Sequence, residues 1–391
     1  MKYTLRNYQK QASDAAVRLF TSKADKNGLV ILPTGAGKSL VIADIASRLE
    51  GPLLVFQPSK EILQQNFAKL QSYGIFDCGC YSASVGCKDI NRITFATIGS
   101  VMNHMSDFDC FKNIIIDECH YVNSKSGQYK QFIEAKNRQV VGLTATPYRL
   151  DRAEGGSILK FLTRVRPRIF SKVIYCCQIG ELLSKGYLAD LHYYDLTELD
   201  LRRVRSNSTG ADYDERSLLA EYERCGFYDK LSNTVVKVLQ PKSGIPRKGV
   251  LVFTAFTKEA RQLVDKLQSL GVNAAIVTGE TPKKEREAIL EGFKKREIKV
   301  VANVGVLTTG FDYPALDTVV LARPTKSLGI YYQMVGRAIR PFEGKDGWIV
   351  DLSGNYSRFG NVADLFISRP PGTTKWAVYS RGTQLTNVVL R

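Results

Sequence analysis

No Cys-x-x-Cys pair occurs in this chain, although it carries eight cysteines, at 78, 80, 87, 110, 119, 176, 177 and 225. Structural zinc sites draw their ligands from closely spaced pairs, so no zinc is expected. Cys78, Cys80 and Cys87 form a loose cluster that reads as reduced thiols. Also missing are a signal-peptide core behind Met1-Lys2-Tyr3-Thr4-Leu5-Arg6 and any apolar run long enough to cross a bilayer. The expectation is a cytoplasmic protein with no membrane partner. Acidic residues are in deficit, with 38 Asp and Glu against 55 Lys and Arg, a formal net charge of +17. Such a surplus favours a polyanionic partner. No nuclease constellation is apparent, so cleavage of a polymer would need another subunit.

What the chain does contain is enough for two domains: 391 residues, 44% of them hydrophobic. Short apolar segments at Leu29–Leu32, Leu53–Phe56, Ile93–Ala96, Ile114–Ile116 and Val140–Leu143 alternate with helix-like stretches. A second series runs through Leu191–Tyr194, Val250–Phe253, Ala274–Val277, Val300–Ala302 and Thr318–Leu321. Alternation of this kind implies two α/β units, each a mainly parallel sheet with helices on both faces. The polar stretch Asp151–Gly156 is the expected hinge, which gives domains 1–155 and 156–365 and an extension 366–391 without an assigned role. Arg202–Asp214 reads as a mobile, solvated loop.

The chemistry concentrates where Ile114-Ile115-Ile116 ends in Asp117-Glu118-Cys119-His120. Ligands of open α/β sheets bind beyond the carboxyl ends of such strands. Two adjacent carboxylates there are costly to desolvate unless a cation or a proton-transfer task compensates. A solvated turn would also tolerate an acid pair, and the upstream loop decides between the two. Pro33-Thr34-Gly35-Ala36-Gly37-Lys38-Ser39 stands between an apolar strand and a helix. Its glycines let backbone N–H groups turn toward phosphate oxygens, Lys38 would reach the β and γ phosphates, and Ser39 would ligate magnesium. The strict consensus has glycine at the position of Leu32, so this is a variant loop.

In the second half, Gln333, Arg337 and Arg340 recur at spacings that share one face of a helix. A guanidinium can stabilise the charge that develops in phosphoryl transfer. Thr308-Thr309-Gly310-Phe311-Asp312 supplies hydroxyls and backbone N–H groups suited to a phosphodiester, and Asp312 could reach a ribose hydroxyl.

Taken in order, these segments resemble the motifs of superfamily two helicases: Arg6 and Gln9 (the adenine-reading Q motif), Pro33–Ser39 (I), Gln57–Glu61 (Ia), Thr97–Ser100 (Ib), Asp117–His120 (II) and Thr144–Thr146 (III). Phe253–Phe256, Thr308–Asp312 and Gln333–Arg340 resemble motifs IV, V and VI. Within the superfamily the chain is most similar to the bacterial RadD group of DNA-repair ATPases, on Leu5–Gln9, Leu32–Ala43, Leu143–Arg149 and Val306–Asp312. RadD proteins add a cysteine-rich C-terminal region that has no counterpart here.

The resemblance implies two tandem RecA-like domains with ATP and Mg2+ bound in the interdomain cleft. It places Arg6, Gln9, Pro33, Thr34, Gly35, Ala36, Gly37, Lys38, Ser39, Gly310 and Asp312 around the nucleotide, with Ser39 and Asp117 on the metal. Glu118 would activate water, aided by Lys38, Gln333, Arg337 and Arg340. Thr97, Ser100, Thr308 and Thr309 would hold nucleic-acid phosphates, and His120, Thr144 and Thr146 would couple the two sites. The implied function is an ATP-driven helicase or translocase on single-stranded or branched DNA, with single-strand-binding or repair proteins as partners and RNA left open. Alternatives are an ATP-gated nucleic-acid clamp and the motor module of a restriction or defence assembly.

Overall fold

In a computed structural model, the structure describes residues 4–22, 27–135, 138–153, 156–241, 246–247, 249–308 and 311–390. The chain forms two compact units, both discontinuous in sequence. One takes Met1–Arg149, Lys160–Glu181 and Phe366–Val378, and the other Leu150–Leu159, Leu182–Leu365 and Tyr379–Arg391.

The first unit opens with α1 (Asn7–Thr21), β1 (Gly28–Ile31), α2 (Lys38–Arg48), β2 (Leu53–Phe56) and α3 (Lys60–Ser72). It continues through β3 (Cys78–Ser82), β4 (Cys87–Lys88), β5 (Ile93–Ala96), α4 (Ile98–Met102), β6 (Asn113–Asp117), α5 (Gln128–Glu134) and β7 (Gln139–Thr144). After β8 (Tyr148–Ala153) and β9 (Gly156–Phe161), the chain returns to this unit as β10 (Lys172–Cys176). Among the described residues these build an eight-stranded sheet in the order β10-β1-β7-β6-β2-β5-β3-β4. The assigned pairs are parallel apart from β3 with β4. Every residue of β1, β2 and β5 is buried, as expected for β-branched and aromatic strands covered on both faces. Gly142 of β7 lets helices and strands close tightly, because a Cβ there would stand 2.6 Å from Cys119 Sγ and 2.7 Å from the Phe170 ring.

The second unit holds α6 (Ile179–Ser184) in part, β11 (Leu191–Asp195), α7 (Glu215–Cys225), α8 (Phe227–Leu239), β12 (Val250–Thr254), α9 (Thr257–Ser269) and β13 (Ala274–Val277). There follow α10 (Lys283–Lys294), β14 (Val300–Val304), β15 (Thr318–Leu321), α11 (Leu328–Val335), β16 (Gly347–Asp351) and α12 (Asn355–Phe359). Its six-stranded sheet runs β11-β16-β15-β12-β14-β13, parallel throughout. Tyr222, Phe227, Leu231 and Val235 of α7 and α8 pack onto Val250, Val252, Val300 and Ala302. Both units are thus RecA-like α/β domains.

Four sequence expectations change. The Asp151–Gly156 stretch is not a bare hinge: its described residues belong to β8 and β9, in a small sheet with a strand at Val389–Leu390. The boundary near 155 is crossed again because β10 pairs with β1, which carries Lys160–Glu181 back to the first unit. Arg202–Asp214 is ordered by a 3-10 turn at Leu201–Arg203, a bridge between Ser206 and Tyr213, and Asn207 N–H donating to the Asp212 carbonyl at 2.9 Å. Cys80 and Cys87 are disulfide-bonded instead of reduced, because the β3–β4 hairpin brings their Cα atoms to 5.6 Å. Beyond residue 365 the chain adds strands at Leu365–Ser368, Ala377–Ser380 and Thr383–Gln384. No described helix is long and apolar enough to cross a membrane.

Candidate nucleotide and nucleic-acid sites

The glycine loop follows β1 at the carboxyl edge of the first sheet. Leu32 N–H extends the ladder onto the Thr144 carbonyl at 3.1 Å, and the chain then turns at Pro33, whose carbonyl accepts from Ala36 N–H at 3.1 Å. Gly35 and Gly37 take positive φ, 84° and 77°. Gly37 is required twice over, since a Cβ there would also lie 2.7 Å from Gln9 Nε2. The Ala36 carbonyl accepts from Tyr8 Oη at 2.9 Å and from Gln9 Nε2 at 3.0 Å, while Gln9 Oε1 accepts from Arg6 N–H at 2.9 Å. The start of α1 is therefore bolted to the loop that Gln9 was expected to serve. Tyr8 was missed, since a tyrosine in an amphipathic helix reads as core.

Lys38 opens α2, and its ammonium is paired with the Glu118 carboxylate. Both side chains are largely buried, 14% and 19% exposed. Burial alone would lower the Lys38 pKa, but Glu118 and then Asp117 outweigh it and raise it. Ser39 lies one residue on, and no hydrogen bond of its hydroxyl occurs among the described residues. Asp117 ends β6, 4% exposed, accepting from Glu118 N–H at 3.0 Å and from Asn66 Nδ2 at 3.3 Å. Burial pushes its pKa up to about 6, with Glu118 adding to the rise and Lys38 opposing it. Glu118 sits in the left-handed region at φ 48°, so the backbone kinks at the carboxylate that meets Lys38. The buried Asp117 carboxylate and the Ser39 hydroxyl are hard oxygen donors of the kind that suit Mg2+.

His120 connects this site to the end of β7. Its Nδ1 lies 3.0 Å from Thr144 Oγ1, 3.1 Å from Thr146 Oγ1 and 3.4 Å from Glu118 Oε2. Burial drives its pKa down to about 4, against the pull of Glu118, so the imidazole is neutral at pH 7. A second path leads outward from Asp117, because Asn66 Nδ2 also donates to Gln57 Oε1 at 3.0 Å. Nothing in the sequence marks Asn66, one polar residue on a mixed helix.

Gln57 lines a cleft of about 340 Å3 with Pro58, Ser84, Thr97, Gly99 and Ser100. Thr97 Oγ1 lies 3.0 Å from Ser100 Oγ and 3.1 Å from Ser82 Oγ, and Ser100 Oγ accepts from Ala83 N–H at 2.9 Å. Thr97 and Ser100 thus come together as expected, with Ser82 as an unforeseen third hydroxyl.

In the second unit α11 stops at Val335, so the helix face expected to carry Gln333, Arg337 and Arg340 does not exist. Gln333 is on the helix, but Gly336 caps it and both arginines lie in the turn beyond. Arg337 is buried and donates to the carbonyls of Phe311 at 2.5 Å and Thr308 at 2.7 Å. Arg340 is paired with Asp312. Thr309 and Gly310 lie outside the described residues.

Residues 2–149 match the family described as "Type III restriction enzyme, res subunit", and residues 231–341 match "Helicase conserved C-terminal domain". The chain belongs to helicase superfamily two. It is 27% identical over 332 residues to a 51.5 kDa protein of a Lactococcus phage, covering 84% of this chain and 66% of that one. With the DNA 3'-5' translocase XPB2 of Sulfurisphaera tokodaii it shares 24% identity over 383 residues, 90% of this chain and 82% of the relative. Against several other curated relatives this helicase core spans about half their length. In fold it is similar to the ATP-dependent Type ISP restriction-modification enzyme LlaBIII bound to DNA, with a TM-score of 0.66 at 20% identity over 90% of this chain and 28% of that one.

Proposed function

We propose that the chain is a nucleic-acid-dependent ATPase that moves on, unwinds or remodels DNA, as the RadD-type repair ATPases it resembles do. The observation that carries the proposal is the pairing of Lys38 with Glu118 beside a buried Asp117, at the mouth of a glycine loop. The lysine that would grip phosphate and the carboxylate that would activate water neutralise each other. When Lys38 turns to the β and γ phosphates, the Glu118 carboxylate gives up this ion pair and can orient and deprotonate the attacking water. Ser39 and Asp117 would hold Mg2+, which when bound offsets phosphate charge.

Arg6, Gln9 and the 33–39 loop would frame the nucleotide, with Gly310 and Asp312 as further candidates. Gln333 and Arg340 are the second unit's candidates for positioning and for compensating transition-state charge, and Arg337 positions Thr308. Thr97, Ser100, Thr308 and Thr309 would hold phosphates of the nucleic acid. His120, Thr144 and Thr146, hydrogen-bonded between the acid pair and β7, would transmit the state of the γ-phosphate. DNA is favoured over RNA because the relatives named above include a DNA translocase, while the chain's positive charge suits either polymer. The match of residues 2–149 to a restriction-enzyme family supports a second reading, a motor module that works with a separate nuclease.

ATP turnover measured with single-stranded, duplex and forked DNA and with RNA, at two salt concentrations, tests the proposal. Stimulation by DNA that weakens with salt is expected. An equal rate with no nucleic acid would sink the motor reading.

A further inference from the structure

Outside the helicase motifs, the second unit carries a concave cleft of about 660 Å3. Arg203, Arg205, Arg216 and Arg224 line it, all exposed. They come from two segments that the fold bends together: the 3-10 turn and following loop supply the first pair, and α7 supplies the second. Arg205 N–H donates to Ser217 Oγ at 3.0 Å and its carbonyl accepts from Asp214 N–H at 2.8 Å, so the loop is laid along the start of α7. The far side is pinned by Asp212, whose carboxylate accepts from Lys326 N–H at 3.1 Å. Lys326 Nζ in turn reaches Ser206 Oγ. A fifth cation is thus brought to the rim.

Charge bookkeeping within the cleft is uneven. Glu221 is consumed by a bidentate contact with Arg224, 2.7 Å on each arm, and Asp200 by Arg202, with Arg203 at 3.5 Å. Asp214 caps α7 by accepting from Ser217 N–H at 2.9 Å. Arg205 and Arg216 have no ion-pair partner among the described residues. Asp214 lies within electrostatic reach of both, so the four guanidinium groups share the hollow with two carboxylates, Asp214 and Glu221, and the positive surplus that remains attracts an anion.

We infer that this cleft binds the phosphate backbone of nucleic acid, as a contact additional to the motif-borne groove, with Arg205 and Arg216 each engaging a phosphate. This rests on the nucleic-acid function proposed above. Guanidinium forks match phosphate oxygens bidentately, and a hollow that size admits a backbone segment and not a folded domain.

The test is binding of a fluorescein-labelled DNA oligonucleotide to the full chain across a salt series, by anisotropy. The variants are Arg216→Gln, Arg205→Gln/Arg216→Gln and Arg205→Lys/Arg216→Lys, each checked for an unchanged unfolding midpoint. The double glutamine variant is expected to weaken binding about tenfold and to lower the slope of log K against log salt by about two, the single variant by about one. The lysine pair should restore the slope. A double glutamine variant with the parent's affinity and slope overturns the cleft and leaves the motor reading standing. A parent chain that binds no DNA overturns both. Loss of polyglutamate binding with DNA binding intact would assign the cleft to an acidic protein segment and overturn the inference.

Discussion

Replacing Glu118 by Gln separates the two jobs of the Lys38–Glu118 pair. The substitution keeps shape and removes charge. General-base activation of water is typically worth 10²–10⁴-fold, about 3–5 kcal/mol of barrier, so turnover should fall by at least two orders of magnitude. Stability should fall as well. Breaking a fully buried pair from one side costs about 3–5 kcal/mol, and the residual exposure of both groups together with nearby Asp117 reduces this to roughly 1–3 kcal/mol here. Nucleotide affinity should move the other way. Lys38 no longer has a carboxylate to leave, so a fluorescent ATP analogue is expected to bind as tightly as to the parent chain, or more tightly. The assays are phosphate release, analogue titration and thermal unfolding of the same preparation. Parental turnover would refute the assignment of Glu118 as base. Loss of analogue binding with retained fold would refute the exchange of Lys38 between carboxylate and phosphate.

Gly37→Ala forces a Cβ into the left-handed region and against Gln9, so analogue binding should be lost while the far unit's unfolding is untouched, as followed by limited proteolysis. Arg337→Ala removes charged donors from two carbonyls and should cost the second unit about 2–4 kcal/mol, with early cleavage near Thr308. Arg337→Lys should fail to rescue, since one ammonium cannot reproduce the fork. Asp117 and His120 should give opposing pH dependences. His120, depressed to about 4, stabilises the fold above its unfolded value of 6.5, and that contribution is lost as pH falls toward 4. Asp117, raised to about 6, works the other way, so ionising it on going from pH 4 to 6 destabilises the fold. Each is on the order of 2–3 kcal/mol, so denaturant midpoints should decline on acidification in Asp117→Asn and rise in His120→Gln.

The strands that carry the first site were legible because burial on both faces demands unbroken apolar runs, and β1, β2, β5 and β6 have them. The turn at Gly35 and Gly37 was legible because both positions take positive φ, which few residue types allow. Asn66, Ser82 and Tyr8 were not, because their partners lie on other elements and any polar or aromatic residue would look alike in sequence. The spacing of Gln333, Arg337 and Arg340 misled for a related reason. Periodicity assumes a continuing helix, and here the chain turns at Gly336 so that Arg337 can satisfy carbonyls of the preceding loop. The second passage of the chain into the first unit was invisible too, since β10 has only half-buried residues at a sheet edge and no strong apolar signal.

Both candidate phosphate-facing cations are held by carboxylates of their own unit, Lys38 by Glu118 and Arg340 by Asp312. The two pairs are not equivalent. Asp312 is half exposed, so water screens the contact from the carboxylate side, while burial of Arg340, 21% exposed, draws its pKa down to about 10. Lys38 and Glu118 are largely withdrawn from water, where separating the charges without a replacement costs several kcal/mol. A ligand that itself brings dense negative charge to Lys38 would open that pair, and on the proposed assignment that would make the Glu118 carboxylate available as a base. On the proposed roles of Lys38 and Glu118, hydrolysis would be tied to occupancy by phosphate through one side-chain exchange. The Thr144–His120–Glu118 contacts lie directly on the group that changes its charge partner. A neutral imidazole there can report the change by hydrogen bonding alone, which is why its depressed pKa matters more than its identity as an acid or base.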